Sequence, residues 1–227
     1  YDGRINPIPC SVRQYVFDDI NRNQSFKFFA GSLSSNSEVW WYYCSASSDE
    51  IDRYVIYNYL EKTWYYGTLA RTAWNDRASG SRLFPQAPGT DGVLYNHENG
   101  LDDGSVNPPI AVNAFVQSAD FDIGDGQQFM LVNRIIPDLN FSDSDATEPQ
   151  VTLTMGARNY NGSAAGQGSV NGDVIRSSVV SGIDNYTDQV YMRLRGRQVN
   201  LKVESDTTGV KWRLGAPRLD ARPDGRR

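Results

Sequence analysis

With 227 residues, 39% of them hydrophobic and 22% charged, the chain can bury a sizeable core in one large or two modest domains. No apolar run is long enough to cross a bilayer as a helix, so no membrane insertion is expected, and one histidine with two cysteines leaves too few ligands for the usual zinc centres. The net charge is -5, yet residues 192–227 hold ten Lys and Arg against four Asp and Glu; an acidic body with a basic end suits head-to-tail assembly as well as nucleic acid.

The first expected element is a short helix. In SVRQYVFDDINRNQ (11–24), Val12, Tyr15, Val16 and Ile20 share one face and Ser11 stands where a cap would. From residue 26 period-2 alternation takes over. FKFFAG (26–31), EVWWYYCS (38–45), DRYVIYNY (52–59) and TWYYGTL (63–69) read as four short antiparallel strands, the size of one propeller blade. Residues 38–67 hold three tryptophans and seven tyrosines. Such rings can stack sugars, stack bases, or fill the space between sheets. Tyr54, Ile56 and Asn58 alternate with Val55, Tyr57 and Tyr59 as blade strands do, so Trp40, Tyr57 and Trp64 are expected in a core.

Residues 75–110 are rich in turn signals and read as a connection, with GVLYNHENG (92–100) as a hairpin arm closing a following blade. At about residue 111 the pattern changes. NAFVQSADFDIGDGQQFMLVNRIIPDL (113–139) predicts two strands joined by a hairpin turn at GDG, the second apolar on both faces from Phe129 to Val132 and therefore central. QVTLTMGARNY (150–160) is a half-buried strand through Val151, Leu153 and Met155, and residues 160–185 read as a Gly/Ser/Asn-rich mobile loop. QVYMRLRGRQVNLKVES (189–205) and VKWRLGAPRLD (210–220) predict three more strands. Their parity turns Val190, Met192, Leu194, Val199, Leu201, Val203, Val210, Trp212 and Leu214 inwards. Tyr191, Arg193, Arg195, Lys202 and Arg213 are left on one basic outer face. The predicted fold is all-β: a β-propeller portion of short antiparallel blades over residues 1–110, followed by a β-sandwich over 111–227.

The chemistry-bearing residues give no catalytic constellation. Asp49, Glu50, Asp52, Asp102 and Asp103 lie in turn-like segments where carboxylates serve solubility and turn chemistry, whereas a glycosidase needs two of them set across a bond. His97 has no Gly-x-Ser-x-Gly or related nucleophile motif beside it and reads as a hydrogen-bonding turn residue. FSDSDATEPQ (141–150) is oxygen-rich but lacks the Gly and terminal Glu spacing of a calcium loop, and GDGQQ has no following Gly-Lys-Ser/Thr to make a phosphate loop. Cys10 and Cys44 read as buried free thiols. No catalytic residue, metal or cofactor is expected. The polar feature that stands out is Arg193, Arg195, Lys202 and Arg213, read as an interface for an acidic neighbour; a solvated sheet face and phosphate contact are its alternatives.

DRYVIYNYLEKTW (52–64) resembles a kelch-like blade hairpin, a β run ending in Tyr-Asn-Tyr, a turn, then Trp. Over most of the chain, EVWWYYCSASSDEIDRYVIYNYLEKTWYYGTLARTAW, ADFDIGDGQQFMLVNRIIPDL and the ending VKWRLGAPRLDARPDGRR resemble virion proteins of tailed bacteriophages, of the tail hub or nozzle type in short-tailed phages. The resemblance implies a β-propeller with appended β domains, standing in the virion tail as a homo-oligomeric ring, for instance a hexamer. Such a ring surrounds the channel through which packaged double-stranded DNA leaves, joins portal, adaptor and tail fibre or spike proteins, and helps retain the DNA. Because the first residue is Tyr and no leader pattern follows, the chain reads as part of a longer protein. A carbohydrate-binding or carbohydrate-active tail component is the alternative function.

Overall fold

Between Arg13 and Asp19 the chain makes its one α-helix among the described residues, α1, and almost everything else regular is strand. The computed structural model describes residues 3, 7–78, 83–160 and 176–226. The chain divides into two compact units, Tyr1–Asn99 and Gly100–Arg227, and its fold is all-β. No helix among the described residues is long and apolar enough to cross a membrane.

In the first unit α1 is shorter than its periodicity predicted. Val12, not Ser11, occupies the N-cap and no side chain caps the helix. The chain turns extended at Ile20, which bridges to Ser45. Asn21 then caps a 3-10 segment, Arg22–Lys27, by accepting the Asn23 amide at 3.2 Å. Strands β1 (Phe29–Leu33), β2 (Glu38–Tyr43), β3 (Arg53–Asn58) and β4 (Thr63–Thr68) form one antiparallel meander in chain order. Their turns are built by side chains. Asp52 accepts the amide and hydroxyl of Ser45, both at 2.7 Å, and the Asn58 carboxamide oxygen accepts the amides of Leu60 and Glu61.

Register places Trp40 between Gly31 and Ile56, and Trp41 between Ala30 and Val55. One face therefore collects Leu33, Trp40, Tyr42 and Ile56 into a core with Cys44 and Ile51. Trp74 covers it, its ring 5.2 Å from Trp40 and its Nε1 donating to the Ser32 carbonyl at 2.8 Å. Gly31 is what lets that ring lie flat, since a Cβ there would stand 2.4 Å from it. After the meander the described residues of this unit form only β5 (Gln86–Pro88) and β6 (Leu94–Asn96), a two-stranded hairpin. The arm at residues 92–100 exists, but it pairs with β5 and closes no second blade among the described residues.

The second unit contains β7 (Ala114–Gln117), β8 (Phe121–Asp122), β9 (Met130–Ile136), β10 (Leu139–Asn140), β11 (Val151–Arg158), β12 (Arg176–Ile183), β13 (Val190–Gly196), β14 (Gln198–Ser205), β15 (Arg213–Leu214) and β16 (Arg218–Pro223). One antiparallel sheet has the order β12-β11-β14-β7, with β8 also on β14; a second has the order β13-β9-β16; β10 and β15 pair separately. Met130, Val132, Ile135, Met192 and Leu194 from one sheet share a core with Leu153, Met155, Val199 and Val203 from the other, the packing of a sandwich. β13 alternates buried and exposed in step, and β9 is central as its two apolar faces required.

Three expectations change here. The GDG segment is no hairpin turn, because β8 and β9 belong to different sheets. Gly124, Asp125 and Gly126 all have positive φ and carry the chain across, and Phe129 then pairs with Asp224 and Gly225 instead of with β8. Of the loop predicted at 160–185, residues 161–175 lie outside the described residues, and 176–183 form β12. The basic residues do not share one sheet: Arg193 and Arg195 are on β13, Lys202 on β14 and Arg213 on β15, in three different sheets.

Candidate functional site

The carboxylates weighed as catalytic are each engaged in holding a turn. Glu50 meets Lys27 at 2.7 Å, Asp49 accepts from Gln24 at 3.0 Å, and Asp52 closes the loop at Ser45. Both Asp102 oxygens accept the Gly209 amide, at 2.9 and 3.0 Å, pinning a residue with φ of +71°. Asp103 accepts the Ser105 amide at 2.9 Å. Asp143 of the oxygen-rich segment accepts Lys211 at 3.2 Å and lies 3.8 Å from Arg213, so it faces cations already within the chain. Among the described residues no group of three or more His, Cys, Asp or Glu is placed to hold a metal.

His97 makes a contact that its sequence context did not announce. Its Nε2 accepts from Arg71 Nε at 2.9 Å, and its ring lies 5.0 Å from Trp74. Burial, then the Arg71 charge, pushes its pKa down to about 4, so the imidazole is neutral with its proton on Nδ1. Arg71 also stacks 4.3 Å over Tyr95, whose hydroxyl donates to Asp91. The cluster ties the β5–β6 hairpin to the segment after β4. The signal for it, one histidine two residues after a tyrosine, is too common to read from sequence.

The predicted interface cations differ in their availability. Arg195 is paired with Asp224 at 2.5 Å and stacked 4.0 Å over Phe129, Lys202 is paired with Glu204, and Arg213 stands near Asp143. Arg193 is exposed and pairs with no carboxylate among the described residues. The four cations do not share one sheet.

The aromatic stretch divides by face. Trp40 is 8% exposed and stacks on Tyr54 and Trp74. Tyr57 and Trp64, expected in the same core, are half-buried on the opposite face, 4.7 Å apart, and Trp64 donates to the Pro9 carbonyl at 2.8 Å. They stay partly open because β4 is an edge strand, and Tyr65 and Tyr66 on it are exposed. An apolar groove of about 570 Å³ runs along α1, with Val16, Phe17, Trp41, Val55 and Trp64 in its walls. Cys10 lies at its rim and is half-buried, not buried as predicted, while Cys44 is buried; both are free thiols.

The most exposed apolar stretch lies elsewhere. Val106, Ile110, Val112, Phe115, Val116 and Phe121 all present their side chains to solvent, Phe115 at 62%. The sequence carried a signal for this: Phe115 and Val116 are adjacent on a strand and point to opposite faces, so one core cannot bury both. No protein-family model matches the chain, and no curated protein matches it.

Proposed function

We propose that the chain is a non-enzymatic structural subunit of a virion tail, of the hub or nozzle kind, that assembles in several copies as a ring around a DNA exit channel. The observation that carries this reading is the concentration of exposed large apolar side chains between Val106 and Phe121. Soluble monomers rarely leave such side chains uncovered, and runs of them mark surfaces that meet other subunits. The resemblance to short-tailed phage tail proteins supplies the kind of assembly. The carboxylates agree with a structural role, since each weighed for catalysis holds a turn instead of facing a partner across a cleft.

The test is the mass of the purified full chain across micromolar concentrations. A discrete multimer, ring-shaped by electron microscopy, is expected; a monomer throughout overturns the reading. The exposed rings of Tyr65 and Tyr66 favour glycan binding as a second reading. Glycan-array binding lost in Tyr66→Ala would support it, and polysaccharide turnover lost in Asp102→Asn with Asp103→Asn would overturn the non-enzymatic assignment.

A further inference from the structure

The sheet β12-β11-β14-β7 ends in two strands whose outer sides pair with no strand among the described residues. On one side β7 continues into β8 along β14, presenting Phe115, Val116 and Phe121 to solvent. On the other is β12, with Val179 at 59% exposure. Natural edge strands avoid pairing by carrying Pro, Lys or other charges. β7 carries none, and β12 and β8 each carry a single charge at an end, Arg176 and Asp122.

Direction decides which strand such edges accept. All pairings in the sheet are antiparallel, so β12 and β14 run one way and β11 and β7 the other. β12 of one copy laid beside β7 of the next meets it antiparallel and extends the sheet without changing its pattern. The two edges differ, so the contact is head-to-tail. Each copy gives one edge and receives the other, which closes a ring if the rotation per step allows; a β7–β7 contact would stop at a dimer.

Charge points to the same pairing. β13 packs beside β12 on that flank and exposes Tyr191 and Arg193, which pairs with no carboxylate among the described residues. The β7–β8 flank exposes Asp122, with Asp125 close after it. Resting on the multi-copy reading above, we infer that β12 of one copy pairs with β7 of its neighbour, and that Arg193 faces the acidic β8 flank across the joint. The partner is a second copy of this chain, joined by β-strand addition.

Paired cysteines test the joint in the full chain carrying Cys10→Ser. Phe115→Cys with Val179→Cys, which the register puts on one face of the extended sheet, is expected on mild oxidation to give a ladder of disulfide-linked multimers ending at the ring size, while neither single variant does. Val116→Lys and Val179→Lys, each on an exposed position, should each weaken assembly at least tenfold while leaving the melting temperature unchanged. A wild-type multimer that resists both lysines and gives no ladder overturns the edge pairing and leaves the ring standing. Disulfide-linked dimers from Phe115→Cys alone overturn it in favour of a β7–β7 contact. A monomeric wild type overturns the ring and the joint together.

Discussion

Trp40 and Trp64 stand two strands apart on opposite faces of one sheet, and their surroundings set different energetic roles. Trp40 is sealed by Trp74, so Trp40→Ala should cost about 3 to 5 kcal/mol, as large-to-small core changes do. Trp64 keeps one side open, and Trp64→Ala should cost about 1 to 2 kcal/mol for its lost stacking on Tyr57 and its bond to Pro9. Denaturant titration of the two variants checks the ranking. His97 gives a pH dependence of definite sign. The unfolded chain binds its proton near the ordinary 6.5, the folded chain only near 4. The unfolded state therefore binds more protons between these values. Stability is full above about pH 6.5, falls as pH drops towards 4, and is flat below for this group. At this half-exposed position, solvent screening holds the loss to about 1 to 2 kcal/mol. His97→Gln keeps an acceptor for Arg71 without titrating, and should flatten this part of the pH profile.

Among the elements, the meander depends on one absent side chain. Gly31 of β1 lies under Trp74, and any Cβ there meets the indole at 2.4 Å. Gly31→Ala should displace the ring, shift tryptophan emission to longer wavelength and destabilise by about 1 to 3 kcal/mol, because the clash falls on a packed ring. Unchanged emission and stability would show that the lid is not held there. In the second unit β14 plays the organising part, pairing with β11 along one side and with β7 and β8 along the other. Its alternation of Val199, Leu201 and Val203 was legible in the sequence, as was that of β11 and β13. Its partners were not. β7 and β8 lie about eighty residues upstream, and period-2 alternation states which face of a strand is apolar without stating which strand lies beside it.

At the scale of the whole molecule, the charge imbalance acts differently from what one basic face would have implied. Arg195, Lys202 and Arg213 neutralise nearby carboxylates within the second unit, which leaves Arg193 as the predicted interface cation available to a neighbour among the described residues. Arg193→Glu should weaken assembly several-fold at low salt and less at high salt, where screening removes the attraction. The folded unit should be unaffected, since an exposed unpaired charge adds little to stability. Sedimentation at two ionic strengths together with a thermal melt separates these effects; equal weakening at both salts would exclude a charge contact.

Composition and local pattern alone determined that the chain is all-β. Alternation over β1 to β4, β9, β11, β13 and β14 is written in consecutive residues, and strand geometry converts it into buried and exposed faces without reference to the rest of the chain. The tertiary structure decided which strands share a sheet, that GDG crosses between sheets, that residues 176–183 are a strand, and that Trp64 stays half open. It also decided the engagement of each carboxylate and basic residue, by bringing Asp102 to Gly209 and Arg195 to Asp224. These outcomes depend on pairings between distant segments, whose free energies are sums over many contacts, so no local run of residues contains them.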